Sequence, residues 1–151
     1  MARFEYEQFM DKALAQAQKA FETKEVPIGA VITNPSGIII AAGYNQVESQ
    51  KSQTAHAELL ALRSASQNLG DWRLDGCILY VTLEPCTMCY AAIQLSRIKH
   101  IVYGAQSPVF GYKKDQDCFI KPFDTQITII GGIKADQCAR LLQLFFQTQR
   151  L

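Results

Sequence analysis

Two short segments constrain this chain more than anything else in it: His56-Ala57-Glu58, and Pro85-Cys86-Thr87-Met88-Cys89 further along, with Cys86 thirty positions after His56. One imidazole nitrogen and two thiolate sulfurs are donors that zinc favours, and three protein ligands leave its fourth tetrahedral position open, as in a catalytic rather than a structural site. His56, Cys86 and Cys89 are that set, which predicts one Zn2+ per chain. Any fold available to the chain must bring both segments to one point.

The residues between them suit that demand. Thr54 is placed to cap a helix running to about residue 68, which Gly70-Asp71 stops. Residues 77–83 form a near-continuous apolar strand, the pattern of burial on both faces. A helix follows Pro85, whose missing N–H costs nothing at a helix start. Both metal-binding fragments thus fall at the starts of successive helices. Cysteines at i and i+3 share a helix face, and a helix N-terminus lowers thiol pKa. His56 and Glu58, two apart, can both reach the metal only from a first turn, which a helix beginning at Thr54 provides.

Elsewhere, Tyr6, Phe9, Met10, Ala13, Leu14, Ala17 and Phe21 trace the stripe of an amphipathic helix over 4–22. Residues 26–33 and 38–43 flank Asn34-Pro-Ser-Gly37 and read as a hairpin. A strand over 98–104, an irregular stretch over 106–125, a strand over 127–130 and a helix over 134–149 complete the chain. The order α-β-β-α-β-α-β-β-α predicts an α/β fold, a mixed sheet with helices on both faces. At 151 residues and 16.9 kDa the chain is expected to be one domain, 1–151.

Composition removes several classes. Apolar runs stay far below the roughly 20 residues of a membrane helix, and the opening residues carry no apolar signal core, so a cytoplasmic protein with no membrane partner is expected. Five cysteines, an odd number, argue against a disulfide framework. Cys77 and Cys138 fit apolar core faces, His100 a strand, and Cys118 stays open. The net charge of +1 excludes a polycation, but it is uneven: residues 1–85 hold 7 basic and 10 acidic groups, residues 86–151 hold 8 and 4. A basic bias of that kind suits a phosphate backbone.

Glu58 lies beside the ligand set without belonging to it, so its carboxylate is free to move a proton between an activated water and a substrate nitrogen. Water attacking an amino-bearing ring carbon then gives hydrolytic deamination, the chemistry of the His-x-Glu and Pro-Cys-x-x-Cys signature. A redox pair or half of a structural zinc knuckle would use Cys-x-x-Cys alone, with no need of His56 and Glu58.

The chain also resembles the bacterial tRNA-specific adenosine deaminases of the cytidine deaminase-like superfamily. The resemblance rests on Glu25-Val-Pro-Ile-Gly-Ala-Val31, Gly43-Tyr-Asn45, Thr54-Ala-His-Ala-Glu58, Tyr80-Val-Thr-Leu-Glu-Pro-Cys-Thr-Met-Cys89, Ser96-Arg-Ile98, Val102-Tyr-Gly-Ala105 and the end from Leu142 to Arg150. It implies a three-layer α/β/α fold with a five-stranded mixed sheet, a homodimer, and a tRNA anticodon stem-loop as partner, with no DNA expected. Asn45 would hydrogen-bond the base, the Ala57 N–H would face the oxygen formed at the reacting carbon, and Ile28 and Leu83 would wall the pocket. The chain departs from the family pattern after Ala105, where Gln106-Ser-Pro-Val-Phe-Gly111 stands in place of an Asp, a Lys and small residues before a Gly. Lys113 and Lys114, with Arg150, are the candidate phosphate contacts. The reading expected is conversion of a wobble adenosine to inosine; a deaminase of free guanine, cytosine or a nucleoside, and a non-catalytic zinc-stabilised RNA-binding module, are its alternatives.

Overall fold

The computed structural model describes residues 2–108, 111 and 126–149. Its elements are α1 (Arg3–Glu22), β1 (Gly29–Thr33), β2 (Ile39–Tyr44), α2 (Val47–Gln50), α3 (Ala57–Leu69), β3 (Ile78–Leu83), α4 (Thr87–Leu95), β4 (His100–Ala105), β5 (Thr128–Ile130) and α5 (Ala135–Gln149). The strands form one five-stranded sheet in the order β2-β1-β3-β4-β5. β1 is antiparallel to β2 and β3, while the pairs β3–β4 and β4–β5 are parallel, so the sheet is mixed, as the hairpin and the crossovers require.

Side-chain alternation along the strands divides the core between two faces. Ala30, Ile32, Leu79, Val81, Ile101 and Tyr103 point to the side covered by α3 and α4, where they meet Ala57, Ala61, Ala65 and Ile93. Val31, Tyr80 and Val102 point to the side covered by α1 and α5, against Tyr6, Met10, Ala13 and Cys138. The α1 stripe is small where it crosses the strands. At Gly29 a Cβ would overlap the backbone of Ala13 and Ala17, so the closeness of α1 to β1 depends on a missing side chain at this position. No helix among the described residues is long and apolar enough to cross a membrane.

The sequence reading needs three local corrections. First, α3 begins at Ala57 rather than Thr54. His56 is its N-cap, with extended φ −75° and ψ 149°. The Thr54 hydroxyl is paired instead with Ser52 Oγ at 2.9 Å, and the Ala55 carbonyl accepts the Gln46 N–H, which holds residues 52–55 in a turn. Second, Cys86 does not share a helical face with Cys89. It is the N-cap of α4, with φ −70° and ψ 168°. Third, residues 26–28 are not strand. The Ile28 N–H donates to the Val26 carbonyl across Pro27, and α2 is an element that the sequence pattern did not announce. The stop at Gly70 is as expected, a left-handed C-cap with φ +70°.

Candidate metal centre and base pocket

The metal centre is built by two helix starts. His56 precedes α3 and Cys86 precedes α4, and because each N-cap has extended backbone its side chain leaves the helix near the axis, where the N–H groups without an intrahelical acceptor gather. Cys89, in the first turn of α4, completes the set. The ligand atoms of His56, Cys86 and Cys89 all lie within 4.8 Å of one another. His56 Nδ1 is 3.8 Å from Cys86 Sγ and 3.5 Å from Cys89 Sγ.

That geometry tests the zinc assignment. Zinc–sulfur bonds of about 2.3 Å and zinc–nitrogen bonds of about 2.0–2.1 Å at tetrahedral angles place nitrogen and sulfur about 3.6 Å apart. The two distances bracket that value, so the residues fit a single zinc ion bound through Nδ1 and two sulfurs. The donor chemistry agrees. The Cys86 thiol is held down to about 4 by the Cys89 thiol that donates to it and by His56, despite the cost of burial. Cys89, the proton donor of this pair, is pushed up, and His56 is raised chiefly by its bond to Cys86.

Glu58 is the second residue of α3, 4% exposed. Burial pushes its carboxyl up to about 7, helped by the nearby Cys86 charge and opposed by backbone hydrogen bonding and by His56. It therefore stands at the metal centre with a proton affinity far above that of a solvated carboxylate.

Beside the ligands lies a cavity of about 650 Å³ whose walls include Ile28, Asn45, His56 and Ala57. Asn45 is buried; its side-chain N–H donates to the Val26 carbonyl at 3.3 Å and its backbone N–H to the Ile28 carbonyl at 3.0 Å. As the first residue of α3, Ala57 has no intrahelical acceptor for its N–H. Leu83 lines a neighbouring cavity of about 750 Å³, with Gln106, Ser107 and Pro108. The two cavities share Val26 and Phe146.

Residue-by-residue reading of the sequence missed the part played by α5. Phe145 and Phe146 wall the first cavity, and Phe145 meets Phe21 edge-on at 6.0 Å between ring centroids; the apolar face of α5 was the available signal. Lys113, Lys114, Cys118 and Arg150 lie outside the described residues.

Residues 4–105 match the family model of the cytidine and deoxycytidylate deaminase zinc-binding region. The tRNA-specific adenosine deaminase of Bacillus subtilis is 40% identical over 146 residues, 95% of this chain and 90% of the relative. A solved structure from biochemical and structural work on A-to-I editing by tRNA:A34 deaminases at the wobble position superposes with a TM-score of 0.82 at 39% identity, covering 89% of this chain and 98% of that one. A guanine deaminase from Nitrosomonas europaea superposes with a TM-score of 0.77 at 28% identity, covering 92% of this chain and 83% of that one.

Proposed function

The chain belongs to the family defined by the cytidine and deoxycytidylate deaminase zinc-binding region, and from that premise we propose that it is a zinc-dependent aminohydrolase converting adenosine to inosine at the wobble position of a tRNA anticodon, with release of ammonia. The observation that carries the substrate is the near full-length identity to a tRNA-specific adenosine deaminase, 40% against 28% and 33% for two guanine deaminases of solved structure.

When bound, zinc supplies a Lewis acid that makes a water nucleophilic near neutral pH. The remaining steps are proposed for the residues of the chain. Glu58 takes one proton from the attacking water, delivers it to the ring nitrogen beside the reacting carbon C6, and then carries a proton to the departing amino group. The C6–O bond forms first and the C6–N bond breaks afterwards, the proton carried to the amino group coming from the added hydroxyl, so adenosine and water become inosine and ammonia. Asn45, with its amide N–H tied to Val26, presents its oxygen to the base. The Ala57 N–H faces the oxygen formed at C6, and Ile28 packs on the flipped ring. Leu83 walls the adjoining cavity, where a neighbouring nucleotide would sit. Lys113, Lys114 and Arg150 are proposed as phosphate contacts.

A homodimer belongs to this reading. Met88 and Leu95, one heptad apart on α4, are exposed, as are Leu69 at the end of α3 and Trp72 just beyond it; exposed apolar side chains of this kind suit a second copy. The proposed location is the cytoplasm, with RNA rather than DNA as partner. The test gives the enzyme an adenosine-containing anticodon stem-loop, free guanine, cytosine and adenosine side by side and measures ammonia and product. Turnover of the stem-loop alone is expected; turnover of a free base without it overturns the tRNA assignment.

A further inference from the structure

Glu25 is 1% exposed and has no part in the chemistry described above. It sits after α1, behind Lys24, whose φ of +63° turns the chain sharply. Its carboxylate is used on both oxygens. Oε1 accepts the N–H of Glu48 and Oε2 the N–H of Ser49, each at 2.8 Å. These are consecutive donors in the first turn of α2, which receives no side-chain cap from its own N-cap, Gln46. A four-residue helix cannot persist on its own hydrogen bonds. A residue more than twenty positions back in the chain therefore supplies the cap.

The cap matters because of what α2 follows. Asn45 lies two residues before its first residue, Val47, and the Gln46 N–H between them donates to the Ala55 carbonyl, directly ahead of His56. Asn45, Val47 and Glu48 line the base cavity with His56 and Ala57. Charge-assisted bonds from backbone N–H to a buried carboxylate are among the stronger ones a chain can make.

We propose that Glu25 is a positioning residue for deamination: by capping α2 it fixes Asn45 and the adjoining wall in the place where the base is read. The proposal rests on the adenosine-deaminase reading for its kinetic readout but not for its structural one. Glu25→Gln keeps the shape and loses one of the two acceptors, setting an amide N–H against a backbone N–H.

The test compares wild type, Glu25→Gln, Asn45→Ala and the double variant by zinc content, residue-level amide exchange and kcat/KM on the stem-loop. In Glu25→Gln the amides of Glu48 and Ser49 are expected to lose protection while those of β1 and β3 keep it and zinc stays at the wild-type level. Its kcat/KM is expected to fall between about tenfold and a hundredfold, and the double variant to lose no more than the weaker single. Wild-type protection at Glu48 and Ser49, or losses that multiply in the double variant, overturn the proposal. Failure of wild type to act on the stem-loop would strike the substrate reading instead, and the exchange measurement would still decide the cap. If Glu25→Gln does not fold, Glu25→Asp, with both acceptors one methylene short, is read by the same criteria.

Discussion

The two faces of the sheet use the same residue type in opposite ways. On the α3 and α4 side, Cys86 stands at a helix start beside His56 and Cys89, and its thiol is held down to about 4. On the α1 and α5 side, Cys138 is buried against β4 and burial pushes its thiol up to about 12. One sulfur is prepared to bind a cation and the other to fill space. What differs is not cysteine but its surroundings: at the α4 N-cap Cys86 accepts from the Cys89 thiol and pairs with His56, whereas Cys138 lies on a helix face laid on a strand.

That contrast is open to attack from both sides. The largest effect is expected from Cys86→Ser with Cys89→Ser, which removes two of three ligands; elemental analysis should find zinc lost and the stem-loop assay no deamination, and retained zinc would break the contrast. Asn45→Ala, on the same side of the sheet, should keep zinc and lose roughly tenfold to a hundredfold in kcat/KM, the cost of one missing partner to a buried polar group.

Gly104→Ala addresses the packing side. A Cβ there would run into Cys138 Sγ and the Thr82 carbonyl, so both α5 and the neighbouring strand β3 must give. Overpacking of this kind costs about 1–3 kcal/mol, read as a lower melting temperature with zinc content unchanged. Zinc loss at equal stability would show that the two faces are not independent. The smallest effect is expected from Lys113→Ala with Lys114→Ala: weaker stem-loop binding, with the salt slope reduced by about 2 and zinc unaltered.

The metal centre was the most legible part of the molecule. Two spaced motifs name its ligands outright, and the hydrophobic periods around them place each at a helix start. The periods could not fix the N-caps, because a cap is decided by which local hydrogen bonds compete: Thr54 satisfies Ser52 instead of α3, which moves the helix start to Ala57 and turns His56 outward. The pocket was less legible. Ile28 borders the cavity beside the metal ligands and Leu83 the adjoining one, and the two cavities share Val26 and Phe146. The four residues of α2 are too few for any period to register, and their cap comes from Glu25, a contact between distant parts of the chain that no local pattern encodes.

Glu58→Gln tests the central claim most directly, since it removes a proton carrier beside the metal without removing a ligand. Zinc per chain and melting temperature should match wild type, while deamination of the stem-loop falls by about a hundredfold to ten-thousandfold. Wild-type turnover in a zinc-loaded Glu58→Gln protein would contradict the account.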